Sequence, residues 1–80
     1  MDSLKKPKEK NPELVVLGAR LKKIRLEKGL TLETLAHSIR KDAQSISRVE
    51  MGNLNPTYLY LLEVCKGLQI DITELLKDLK

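Results

Sequence analysis

The chain has 80 residues, 41% of them hydrophobic, and a formal net charge of +4, with a pI near 9.3. This length supports one domain at most. A single cysteine excludes an internal disulfide, no apolar run approaches the roughly 20 residues of a membrane span, and two Tyr with no Phe or Trp are too few for a single-strand binder built on stacking platforms.

Residues 1–11 carry Lys5, Lys6, Lys8 and Lys10 without apolar periodicity and read as a flexible basic arm ahead of a folded domain over 12–80. So polar a start is unlike a secretory signal, which makes a reducing cytoplasm the expected compartment. Asn11-Pro12 has the form of an N-cap followed by proline at the first helical position. Leu14, Leu17, Leu21 and Ile24 then recur at helical spacing up to Gly29, giving a first helix over about 12–28. Thr31 caps a second helix whose stripe is Leu32, Leu35, Ala36 and Ile39. Asp42 caps a third over 43–51, with Ile46, Val49 and Glu50 on one face and Gly52 after it.

Asn55-Pro56 repeats the cap-then-proline pattern, and Tyr58, Leu61, Leu62, Cys65 and Leu68 form the next stripe. Asp71 and Glu74, at capping-box spacing, open a last helix with Ile72, Leu75, Leu76 and Leu79. The expected fold is therefore all-α: a compact bundle of five short helices. Lysine and arginine crowd residues 20–28 against Glu27 alone, whereas 56–80 are slightly acidic. One basic face for phosphate fits this asymmetry, and so does ordinary solubilising charge.

The informative stretch is 32–51. Two short helices joined by so few residues cross at a steep angle rather than lying antiparallel. The small Ala36 suits their point of contact, and Ile39, Ile46 and Val49 lock the second against the first. Advancing about 100° per residue from an inward Ile46 turns Gln44, Ser47, Arg48 and Met51 outward, with Ala43 at the flank. Gln44 and Arg48 are neighbours on one helix face. Gln pairs with adenine N6 and N7, Arg with guanine O6 and N7, and the first turns of a groove-bound helix reach base edges.

From Leu17 to Leu76 the chain resembles the lambda-repressor-like helix-turn-helix family of phage repressors, Cro proteins and small bacterial regulators. The matching pieces are Lys28-Gly29-Leu30-Thr31, Leu35-Ala36, Ile46-Ser47-Arg48-Val49-Glu50 with Gly52, and Asn55-Pro56. The resemblance implies five helices, double-stranded DNA as partner, and a homodimer on a palindromic operator with the third helix in the major groove. It implies base reading by Ala43, Gln44, Ser47 and Arg48, and phosphate contact by Arg25, Arg40, Lys41, Asp42, Asn53 and Asn55. It also pairs Arg25 with Glu50, which suits an inward carboxylate in need of a partner. The chain departs from the family where Arg40 replaces the usual turn glycine, Lys41 an apolar residue, Leu32 a glutamine, and Asn53-Leu54 a basic loop. Modest affinity, helped by the lysine arm, is expected.

The ring of Tyr58 is expected in the core. Leu59 and Tyr60 spill beyond the fourth helix's stripe and suggest a dimer face made by the fourth and fifth helices. Cys65 reads as a small core residue rather than a redox sensor. His37 reads as a surface residue, and no cofactor or metal is expected. The leading function is a sequence-specific transcriptional regulator; a restriction-modification controller, a prophage repressor and an antitoxin are all compatible. The alternative is a protein-interaction module, or antitoxin-type partner protein, that keeps the fold without reading DNA. An enzyme is disfavoured, since no carboxylate pair, nucleophile–base set or phosphate loop is evident.

Overall fold

The computed structural model describes residues 10–79, so the expected lysine arm lies outside the described residues except for Lys10 and Asn11. The helices are α1 (Pro12–Glu27), α2 (Leu32–Ser38), α3 (Ala43–Glu50), α4 (Tyr58–Leu68) and α5 (Ile72–Leu76), with no strand among the described residues. None is long and apolar enough to cross a membrane.

Side-chain caps set where the first four helices begin. Asn11 Oδ1 accepts from the Glu13 amide at 2.8 Å, Thr31 Oγ1 from Thr34 at 3.0 Å, and Asp42 Oδ1 from Gln44 at 3.3 Å. Gly29 at φ 72° and Gly52 at φ 76° follow the ends of α1 and α3. The start of α4 differs from expectation. Thr57 is the cap, its Oγ1 accepting from the Tyr60 amide at 3.0 Å, while Asn55-Pro56 lies in the preceding connection. A residue before proline favours extended backbone, so this pair spaces α3 from α4 rather than opening a helix. The expected capping box at α5 does not form either. Asp71 makes no side-chain cap bond, and only its carbonyl accepts from the Glu74 amide, at 2.9 Å. The helix stops at Leu76, short of Leu79, and the chain turns through Asp78 at φ 58°.

Leu21, Leu35, Ile46, Val49, Val64, Leu68 and Leu75 are fully buried around Ala36, Leu61 and Cys65. Helices as short as α2, α3 and α5 are unstable alone in water. Burial of a large aliphatic side chain contributes about 1.5–3 kcal/mol, so packing rather than helix propensity maintains them. On α4 the buried stripe is Leu61, Val64, Cys65 and Leu68. Tyr58, expected inside, is 62% exposed because it is the first helical residue, ahead of the packed part of α4. Leu62 is only half-buried, and Val64 holds the inward position instead. Cys65 packs as a small core residue; burial pushes its thiol above the ordinary value, and Asp71 and Glu74 add to the rise.

Two glycines allow helices to approach more closely than side chains would permit. A Cβ on Gly18 of α1 would lie 2.2 Å from the Val49 carbonyl oxygen and 2.5 Å from that of Glu50, so α1 meets the backbone end of α3 directly. A Cβ on Gly67 of α4 would fall 2.6 Å from Leu35 Cδ1 and 2.7 Å from Ile39 Cγ2 on the α2 side. Arg20 ties α1 to α5 by donating to the Glu74 carbonyl at 3.3 Å. Together these contacts place α2 and α3 on one side of a scaffold made by α1, α4 and α5.

Candidate nucleic-acid interface

The turn between α2 and α3 is built by backbone hydrogen bonds. The amides of Ile39 and Lys41 both donate to the Ala36 carbonyl, at 3.2 and 2.9 Å, and Arg40 donates to His37 at 3.3 Å. Arg40 itself sits at φ 56°, the left-handed conformation that non-glycine residues adopt at a cost of about 1–2 kcal/mol. The reversal then delivers the chain to Asp42, which caps α3. Ala36, Ile46 and Val49 fill the crossing.

The end of α3 is fixed from below. Arg25 Nε donates to Glu50 Oε2 at 2.7 Å and Nη2 to Oε1 at 3.0 Å, while Nη1 donates to the Leu30 carbonyl at 2.7 Å. The two side chains are only 7% and 4% exposed. This bidentate pair satisfies a buried carboxylate that would otherwise be costly. Three of the five guanidinium N–H groups are thus used within the fold, and the phosphate contact expected of Arg25 is left to the remaining two. The Asp42 carboxylate serves as the α3 cap and, as an acceptor carrying negative charge, repels phosphate, so the phosphate contact expected at this residue falls to its backbone N–H.

With Ile46, Val49 and Glu50 buried, the opposite side of α3 faces solvent. Gln44 and Arg48 are exposed there, one turn apart, and Met51 continues the same surface. Ser47 and Ala43 are half-buried, so close approach rather than reach is what they offer. Arg40 is exposed and Lys41 half-buried just ahead of α3; Asn53 and Asn55 are exposed just after it. Cationic side chains thus precede the helix and side-chain amides follow it, while the backbone N–H of Asn53 donates to the Arg48 carbonyl at 2.9 Å. His37 is exposed on α2.

Sequence reasoning missed Ser45 and mistook the setting of Tyr60. The Tyr60 hydroxyl lies 2.9 Å from Ser45 Oγ, and the Lys41 ammonium sits 5.0 Å from the centroid of the Tyr60 ring. The tyrosine expected to face a partner is therefore half-buried against the start of α3. The only hint in the sequence was an aromatic residue outside its own helix's stripe.

On the far side, Leu59 is 70% exposed and, with Leu62, Cys65, Ile70 and Ile72, lines an open groove of about 410 Å³ between α4 and α5, edged by Glu63, Lys66 and Asp71. Leu76 of α5 is also exposed.

The helix-turn-helix family profile matches residues 21–75, which include the whole α2–turn–α3 unit. C.AhdI, a restriction-modification controller protein from Aeromonas hydrophila, superposes with a TM-score of 0.79 at 35% identity, over 81% of this chain and 98% of that one. The clp gene regulator ClgR from Corynebacterium glutamicum gives 0.78 at 30% identity, over 82% and 86%. The controller protein C.Esp1396I, as a tetramer in complex with its natural 35 base-pair operator, gives 0.72 at 36% identity, over 84% and 99%. No curated protein matches the sequence significantly.

Proposed function

The chain belongs to the lambda-repressor-like helix-turn-helix family and is a DNA-binding transcriptional regulator rather than an enzyme; from that premise we propose that it binds a palindromic operator as a homodimer, with α3 in the major groove. One observation carries this reading: Gln44 and Arg48 are exposed and adjacent on the face of α3 opposite its buried Ile46, Val49 and Glu50. Gln44 is placed to pair with adenine and Arg48 with guanine. Ala43 and Ser47 supply close contact beside them. Arg40, Lys41, Asn53 and Asn55 hold the flanking phosphates, setting orientation without reading sequence.

The α4–α5 groove supports a self-complementary dimer. Its exposed Leu59, together with the exposed Leu76 elsewhere on α5, is apolar surface of the kind that a two-fold contact covers. Among regulator types, a restriction-modification controller fits best. The similarity to C.AhdI takes in 98% of that chain, so the likeness extends over a whole controller rather than one module of a larger regulator. Such a protein works in the cytoplasm, where the DNA is.

Selection from random duplex DNA tests the reading. Enrichment of an inverted repeat with half-sites about one helical turn apart is the expected result. Sequence-blind binding that disappears at physiological salt would overturn it, since phosphate attraction alone behaves that way.

A further inference from the structure

The first turn of α3 is held to α4 by a directed chain of hydrogen bonds. Ser45 Oγ donates to the Asp42 carbonyl at 2.9 Å. A hydroxyl has one proton, so the 2.9 Å contact between Ser45 Oγ and the Tyr60 hydroxyl is donated by Tyr60. The same Asp42 carbonyl accepts from the Ser45 and Ile46 amides at 3.1 and 3.4 Å. Burial pushes the Tyr60 hydroxyl above its ordinary value; the Ser45 hydrogen bond lowers it, and Asp42 and Glu50 add to the rise, so the net direction is upward and favours the protonated donor. On the ring's face, the Lys41 ammonium is within cation–π range at 5.0 Å. Lys41 belongs to the turn before α3, Ser45 to its first turns and Tyr60 to α4; one side chain thus touches both segments that aim Gln44.

We propose that Tyr60 is a positioning residue of the DNA-reading helix: its hydroxyl holds the first turn of α3 through Ser45 and the Asp42 carbonyl, and its ring seats the Lys41 ammonium beside that turn. Tyr60 touches no base in this scheme. It narrows the directions in which Gln44 points, so its contribution appears as base discrimination rather than as general affinity. This deepens the DNA-reading role and depends on it only for the binding arm of the test.

Tyr60→Phe removes the donor proton and keeps the ring over Lys41. Hydrogen exchange of the free protein is the first readout. The Ser45 and Ile46 amides are expected to exchange about fivefold faster, the change that follows loss of one hydrogen bond of ordinary net strength, while core amides such as Leu21 and Val64 keep their rates. Ser45→Ala should loosen the same amides, and adding Tyr60→Phe to it should change nothing further. Uniform acceleration along the chain, or unchanged Ser45 and Ile46 rates, would overturn the proposal. In the binding arm, Tyr60→Phe should reduce the preference for the selected operator over random duplex about threefold to fivefold with the salt slope intact, again the scale of one hydrogen bond. An equal loss on both duplexes would contradict positioning. Should the wild-type chain select no operator, it is the DNA-reading role that fails, and the exchange comparison still decides whether Tyr60 holds the turn.

Discussion

The two ends of α3 are held in different ways. Its C-terminal end rests on α1 through the bare backbone contact at Gly18 and the bidentate Arg25–Glu50 pair, both inside the protein. Its N-terminal end is held by the Asp42 cap and by Ser45 with Tyr60, where the surroundings are half-open. The buried clamp is the stronger, because breaking a buried ion pair costs about 3–5 kcal/mol, against about 1 kcal/mol for a cap or a neutral hydrogen bond. On the proposed reading, α3 is anchored at the end away from Gln44 and stays adjustable at the end that carries it.

Substitutions at the anchored end should therefore have the largest effect. Glu50→Ala leaves the Arg25 guanidinium buried without its carboxylate, and unfolding in urea should show a loss of about 3–5 kcal/mol. Replacing both partners with Met should recover most of it, since neither charge is then stranded. Gly18→Ala comes next. Its methyl group is forced against the Val49 and Glu50 carbonyls, and overpacking of this kind costs about 1–3 kcal/mol. The extra volume also pushes α3 away from α1, so operator affinity should fall by more than stability predicts. If Gly18→Ala is instead neutral in both assays, the close contact at the C-terminal end does not set the helix position.

The smallest stability effect belongs to the turn. Arg40→Gly relieves the left-handed strain but raises the entropy of the unfolded chain, and the net gain should be about 0.5 kcal/mol by thermal melting. Binding should move the opposite way, with affinity falling and the salt slope becoming shallower by about one, as loss of a single phosphate contact requires. Stability and binding changing in the same direction would remove Arg40 from the phosphate-contacting set.

Most of the fold was legible because its signals are local. Asn11, Thr31 and Asp42 act as the caps that their types suggest, and the stripes on α2 and α3 lie inward as spaced, as do Leu17, Leu21 and Ile24 of α1, where Gly18 and Arg25 share the buried face. The errors arose where a local signal had a non-local competitor. Asn55-Pro56 has the form of a helix start, but Thr57 offers its hydroxyl two residues later and takes the cap. Asp71 and Glu74 have capping-box spacing, yet α5 is pinned by Arg20 from α1 and does without the box. Gly18 and Gly67 give no sign in the sequence of the contacts they allow, because a glycine within a helix has the same form whether or not another chain segment passes over it. For the interface, spacing alone could place Gln44 and Arg48 outward. It could not reveal that Ser45 bonds to Tyr60, fifteen residues away. The enclosure of Arg25 was equally out of reach, since a pair can be inferred from residue types but its accessibility depends on the packing around it.

Whether the exposed face of α3 reads bases is decided at Arg48. Binding of wild type and Arg48→Ala should be measured against every single-base variant of the selected operator. If Arg48 reads guanine, the substitution costs about 1–3 kcal/mol on the operator and abolishes discrimination at one base pair in each half-site, leaving the other positions as they were. A uniform loss across all variants, with a shallower salt slope, would make Arg48 a phosphate contact and contradict the assignment of base reading to this face of α3.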